Sequence, residues 1–233
     1  MKTQEKQIKI VESILKEVYT KYENKGVLSI YLWGSILTKD FNPKLSDIDS
    51  IAIVNKNAKI KDNGSINNFL KVNSSCKDFK LNYLYLDELN GGKIKSRLAK
   101  AINPKLLLLD FKNWKCVNGK KYSRKDFKLK EIDFDEAIKI ELEVIKKRFL
   151  PLFKKNEFQF TQYFTKYLIM ICYYLNQKES GKHKFTYYEL LKRSPENRKK
   201  IIRVLLQLKK NKWDEKLMKK HLDILTNFFN TLD

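Results

Sequence analysis

Asp47 and Asp49 stand one residue apart at the head of an apolar run that continues to Val54. On an extended strand, residues i and i+2 project from one face about 6.5 to 7 Å apart, so the two carboxylates lie side by side while Ile48 turns into the core. Like charges at that spacing repel by roughly a few kcal/mol near a protein surface, and a divalent cation between them removes the cost. Oxygen-only ligands favour magnesium or manganese, which keep coordination positions that triphosphate oxygens fill. Upstream, Gly34 and Ser35 follow the apolar stretch "VLSIYLW". A strand that runs into a glycine turn lets backbone N–H groups and a hydroxyl approach a phosphate closely.

Each piece alone has a plainer meaning: Gly34-Ser35 an ordinary turn, Asp47 a solvated strand end, Ser46 a hydroxyl bonding a local amide. Together they read strand, Gly-Ser, eleven intervening residues, Asp47-Ile48-Asp49, strand. This order, with Ser46 before the first aspartate, resembles the signature of the nucleotidyltransferase superfamily typified by DNA polymerase beta. The whole chain is similar in layout to the streptomycin/spectinomycin-type aminoglycoside adenylyltransferases, in which a catalytic domain precedes a helical one. "NWKCVNGKKYSRKDF", Asn113 to Phe127, resembles that family's exit from the catalytic domain, and "YLIMICYYLNQKESGKHKFTYYELL" its helix, turn and helix start.

The resemblance implies a magnesium- or manganese-dependent transfer of a nucleoside monophosphate from an NTP, with ATP the expected donor, to an acceptor hydroxyl. It places metal on Asp47 and Asp49, and nucleotide phosphates on Gly34, Ser35, Ser46 and Lys184, with Lys182 a close competitor for the lysine. It also calls for a third carboxylate in the strand Phe79 to Leu86, as general base or further metal ligand. The matching position is Asn82. An amide can ligate a metal through its carbonyl oxygen but cannot accept a proton at neutral pH. Asp78, Asp87 and Glu88 flank that strand; Asp78 shares the face of Asn82, and Asp87 lies on the opposite one.

These residues need a frame. Apolar residues at helical spacing from Thr3 to Tyr22 predict an amphipathic helix, closed by Gly26 as a left-handed cap. Strands are expected over "VLSIYLW", Asp47 to Val54 and Phe79 to Leu86, with a turn and short helix within Lys61 to Asn73. "GGKIKSRLAKAIN" suggests a helix, and "KLLLLDF" either a short buried strand or a helical turn. Beyond Tyr122 the pattern is only helical: Glu136 to Phe153, Phe158 to Leu175, Phe185 to Leu191, Pro195 to Leu208 and Asp214 to Phe229. The expected fold class is α+β, an α/β domain with a short mixed sheet over residues 1–122 followed by an all-helical domain over 123–233.

The chain of 233 residues carries 49 Lys plus Arg against 27 Asp plus Glu, a formal charge of +22, and so a field that attracts anions. An AT-rich genome also yields such a lysine-rich chain without a polyanionic partner. The N-terminal stretch is charged throughout and no segment is long and apolar enough to span a bilayer, so no membrane association is expected. Cys76, Cys116 and Cys172 are odd in number and widely spaced, which argues against a disulfide framework and for a cytoplasmic protein with reduced thiols. Three functions remain open. The first is transfer to a small-molecule acceptor, where "EIDFDEAIKIELE" is the stretch that could offer an acidic pocket to a polycation. The second is transfer to RNA such as a tRNA end, with Tyr163, Phe164, Tyr167, Tyr173, Tyr174, Tyr187 and Tyr188 available for stacking. The third is a nucleotide-binding protein without turnover.

Overall fold

The structure, a computed structural model, describes residues 2–38, 41, 46–58, 60, 66–70, 78–154, 160–181, 186–211 and 213–232. The chain forms two compact units, Met1–Ile132 and Asp133–Asp233. In the first, helix α1 spans Lys2–Tyr22 and buries Val11, Ile14, Leu15 and Val18, the apolar stripe its spacing predicts. A short turn of 3₁₀ helix follows, closed by Gly26 at φ 100°. Strand β1 (Val27–Trp33), β2 (Ile48–Val54), β3 (Phe79–Tyr85) and β4 (Lys115–Gly119) form one sheet in the order β3-β2-β1-β4. Strand β1 runs antiparallel to β2 and β4, while β2 and β3 are parallel, so the sheet is mixed.

Both faces of the sheet are covered, which is why the strands read as continuous apolar runs. Ile48, Ala52, Val54, Phe79 and Leu81 pack with α1 and with helix α2 (66–70). Ile51, Ile53 and Leu84 pack on the other side with Leu107, Phe111 and Trp114. Here two expectations take definite form. "KLLLLDF" belongs to helix α4 (Pro104–Leu109), started by the Asn103 side chain and by Pro104 at its first turn. "GGKIKSRLAKAIN" contains only the five-residue helix α3 (Arg97–Ala101), capped by Ser96. Strand β4 was not foreseen. It is a short edge strand of mixed polarity, and its "NG" end resembles a turn; Gly119 is needed there because a Cβ would fall 2.3 Å from the Leu28 carbonyl oxygen.

Residues 123–132, beyond the boundary expected after Tyr122, pack with the first unit. Phe127 stacks on Tyr122 at 5.5 Å, Leu129 N–H donates to Leu89 O, and Lys128 N–H to the Asn90 side chain. The second unit is helical: α5 (Phe134–Val144), a π-helical turn (Ile145–Phe149), α6 (Leu150–Lys154), α7 (Thr161–Ser180), α8 (Tyr187–Arg193), α9 (Glu196–Lys210) and α10 (Glu215–Asn230). Its core gathers Phe149, Phe164, Leu168, Leu205, Leu225 and Phe229. Most of the aromatic series is core: Phe164 and Tyr174 are buried, and Tyr167, Tyr173 and Tyr187 pack against the cluster, whereas Tyr163 and Tyr188 are exposed. In the acidic stretch, Asp133 caps α5, Asp135 pairs with Lys178, Glu143 pairs with Lys147 and Glu141 is buried. Among the described residues, no helix is long and apolar enough to cross a membrane.

Candidate active site

The β1–β2 edge of the site is built by the chain reversal after Trp33. Gly34–Leu37 form a single 3₁₀ turn, entered from extended backbone at Trp33. The first N–H groups of such a turn have no partner within it and face outward. Helix α1 holds the turn from below: the Gln4 amide donates to Ile36 O at 2.8 Å and to Thr38 O at 2.7 Å. The Thr38 hydroxyl closes it with a bond to Ser35 O at 3.0 Å. Gly34 has φ +76°, a region that side chains other than glycine adopt only with strain, and it is exposed.

Asp49 lies across from Trp33 in the antiparallel β1–β2 pairing, next to this turn. A Cβ built on Gly34 would sit 3.6 Å from Asp49 Oδ2, so the carboxylate and the glycine turn border one space. Ile48 is fully buried in the α1-side core, whereas Asp47 is exposed and Asp49 half-buried. The strand parity expected from sequence therefore holds, with Asp47 just ahead of β2 rather than inside it. Ser46 precedes it, half-buried.

Strand β3 supplies the third side. The parallel register sets Ile48 against Phe79, Asp49 against Lys80 and Ile51 against Asn82. Paired residues of parallel strands share a face, so Lys80 lies beside Asp49 and Asn82 one rung further from the turn. Asp78, whose carbonyl accepts the Ile48 N–H at 2.9 Å, extends the same face beside Asp47. The Lys80 ammonium lies 2.5 Å from Asp78 Oδ2. Its pKa is raised, chiefly by that hydrogen bond and further by the charges of Asp78, Asp47 and Asp49, against the opposing effect of desolvation. Lys80 is thus paired with Asp78 and lies in the field of Asp47 and Asp49 at the ends of β2 and β3, a role the sequence analysis did not single out.

The other flanking acids serve structure. Glu88 is buried and its carboxylate accepts N–H groups from Tyr85, Lys95 and Ser96 at 2.9, 2.5 and 2.6 Å. Asp87 lies 3.5 Å from the Lys95 ammonium. Lys182 and Lys184, the expected phosphate lysines, lie outside the described residues, as does Cys76. Among the described residues there is no group of three or more His, Cys, Asp or Glu side chains arranged to hold a metal ion by themselves. Two carboxylates fit magnesium nonetheless, because that ion is commonly held by one or two carboxylates together with substrate phosphates and water.

A glycine turn adjoins a carboxylate at the ends of a mixed sheet, with a helical unit following in the chain, which is an α+β architecture. The nucleotidyltransferase domain model matches residues 11–166, more than half of the chain, and the protein belongs to that family. Among solved structures it is similar to the spectinomycin adenyltransferase AAD(9) from Enterococcus faecialis, solved with ATP and spectinomycin. That likeness has a TM-score of 0.56 and 14% identity, and it covers 97% of this chain and 98% of the other. At this identity it speaks to the fold. A search of curated proteins finds no match.

Proposed function

We propose that the protein transfers a nucleoside monophosphate from an NTP, with ATP as donor, to a hydroxyl of a small-molecule acceptor. The observation that carries this reading is the Asp49 carboxylate bordering the Gly34 turn, with Asp47 ahead of it on the same face. The outward N–H groups of the turn and the Ser35 hydroxyl bind the β and γ phosphates. Ser46, at the foot of Asp47, completes the phosphate contacts of this unit. Asp47 and Asp49 would hold magnesium, which when bound offsets charge on the phosphate oxygens and lowers the pKa of the acceptor hydroxyl.

The rest falls to side chains. With the β and γ phosphates held at the Gly34 turn and Ser35, the α phosphorus faces Asp47 and Asp49 over the ends of β1 and β2, and the pyrophosphate leaves toward that turn. In-line displacement then requires the acceptor oxygen to arrive from the opposite side, where β3 lies. Asn82 on that side can accept or donate a hydrogen bond to the acceptor but cannot take its proton. Asp78, paired with Lys80, is the carboxylate on the same face, and the proton passes to it or to water.

The test is incubation of the pure protein with magnesium and each α-labelled NTP, with and without aminoglycosides such as spectinomycin, the ligand of the similar structure. Labelled product and pyrophosphate that vanish in Asp49→Ala support the reading. Wild-type protein that binds no NTP in the presence of magnesium would sink it.

A further inference from the structure

Four charged residues form two adjacent rungs across β2 and β3. Asp49 is the register partner of Lys80, and the Ile48 N–H bond to Asp78 O carries the ladder on to Asp47 and Asp78. Neighbouring strands lie about 4.8 Å apart, so each rung brings its two residues together on one face. One of the four is a cation, and it stands beside the carboxylate that borders the Gly34 turn. Its ammonium is bonded to Asp78 Oδ2, and the charges of Asp47 and Asp49 also act on it. The Lys80 side chain is 52% exposed and lines a cavity of about 500 Å³ at the edge of β3, so a ligand over the strand ends can reach it.

The donor set on this face fits one magnesium ion and not two. Two-metal transfer sites place their ions about 3.5 to 4 Å apart, one serving the attacking oxygen and one the leaving oxygen. Each magnesium asks for near-octahedral oxygens that include a carboxylate or two. Asp47 and Asp49 meet that need once. On the attacking side, toward β3, the third position is the neutral Asn82 amide, and Asp78 Oδ2 is already bonded to an ammonium. A second dication there would lie against the Lys80 charge and compete with it for Asp78. The lysine brings to that place the positive charge that a second ion would bring.

We propose that the Lys80 ammonium takes the place of a second metal ion: when NTP binds, it leaves Asp78 for a non-bridging oxygen of the α-phosphate, and one magnesium ion on Asp47 and Asp49 suffices. This rests on the nucleotidyl-transfer reading above and adds a phosphate-contacting residue to it. An ion pair as exposed as Lys80–Asp78 is weakly held, which lets the ammonium change partners. In the step, the acceptor hydroxyl oxygen forms a bond to the α-phosphorus. The bond from that phosphorus to the oxygen bridging to the β-phosphorus breaks, and its electron pair leaves with pyrophosphate. The hydroxyl proton passes to water or to the Asp78 carboxylate that Lys80 has left. Charge that builds on the non-bridging oxygens is met by Lys80 from the β3 side.

Two measurements test it. In the first, manganese is titrated as a paramagnetic substitute for magnesium into wild type, Lys80→Ala and Lys80→Arg, each with saturating α,β-methylene-ATP, and the bound ions are counted by electron paramagnetic resonance. Wild type and Lys80→Arg are expected to hold one ion per chain and Lys80→Ala to take up a second, weaker one, with melting temperatures unchanged. Two ions in the wild type, or one in both wild type and Lys80→Ala, overturn the proposal and leave the transfer reading standing. An analogue that brings no ion to the wild type overturns both. In the second, the same analogue is titrated by calorimetry with magnesium kept below the level at which Lys80→Ala takes up its second ion. Lys80→Ala is expected to bind it about tenfold more weakly than wild type, and Lys80→Arg to recover most of the loss. Equal affinity in wild type and Lys80→Ala overturns the proposal, because a lysine that touches the α-phosphate cannot be removed without cost.

Discussion

Asp49 Oδ2 stands 3.6 Å from the point where a Cβ on Gly34 would be, although Gly34 opens the turn after β1 and Asp49 lies in β2. Nothing clashes at that distance, so Gly34→Ala has two separable costs. The alanine backbone must adopt φ near +76°, at about 1 to 2 kcal/mol for a residue other than glycine. It also projects into the space where a phosphate would meet the Asp49 carboxylate. Gly34→Ala is expected to lower the melting temperature slightly and to raise the KM for NTP more than it lowers kcat. Asp49→Ala, by contrast, should reduce kcat by about a hundred- to a thousandfold with the fold intact. Steady-state kinetics beside thermal melts separate the two; a Gly34→Ala protein with wild-type KM would show that the turn does not meet phosphate.

Asn82 lies one rung from the Lys80–Asp49 pair on their shared face, and Asp78 extends that face on the other side. If proton removal limits the rate, Asn82→Asp supplies a base facing the acceptor and is expected to raise single-turnover transfer, by up to about a hundredfold. Asp78→Asn should lower it and shift the acid limb of the pH–rate profile. Unchanged rates in both variants would mean that water takes the proton without help from either position.

The pairing of turn and carboxylates was legible because its parts are local: a strand, a glycine turn and a period-2 aspartate pair announce themselves within one stretch. Lys80 was not, because its meaning depends on the parallel register between β2 and β3, which no short-range pattern encodes. The same holds for β4, a five-residue edge strand whose partner, β1, is distant in sequence. Helices α5 to α10 were readable from periodicity, but the division of the aromatic residues into core and surface was not: Phe164 is buried while its neighbour Tyr163 is 51% exposed. Helical spacing identifies a face and leaves open which neighbour covers it.

Tyr31 ties β1 to the segment after β4. Its hydroxyl accepts the buried Tyr122 N–H at 2.8 Å and donates to Lys120 O at 3.3 Å, while burial pushes its pKa up to about 12, against the opposing hydrogen bond from Tyr122. Tyr31→Phe keeps the ring packing on Phe111 and Trp114 but leaves the Tyr122 N–H without its acceptor. The expected loss is about 1 to 3 kcal/mol in denaturant unfolding. Transfer activity per folded molecule should be unaffected, since the pair lies away from Asp47 and Asp49; an unchanged midpoint would contradict the assigned role of the hydroxyl.

Glu141 is 5% exposed on α5 and has a carboxylate oxygen with no hydrogen-bond partner, and burial raises its pKa from 4.5 to about 8. Its folded pKa lies above its unfolded one, so the folded state holds the proton where the unfolded state has lost it. Below pH 4.5 the group is neutral in both states and carries no penalty; between 4.5 and 8 the stability of the helical unit falls as pH rises, and above 8 the full penalty applies. Glu141→Gln removes the ionisation while keeping the shape. The variant is expected to match the wild type near pH 4 and to exceed it at pH 8 and above by on the order of a few kcal/mol. Urea unfolding of both proteins across that range reads this out, and parallel stability curves would show that Glu141 finds a compensating partner when it ionises.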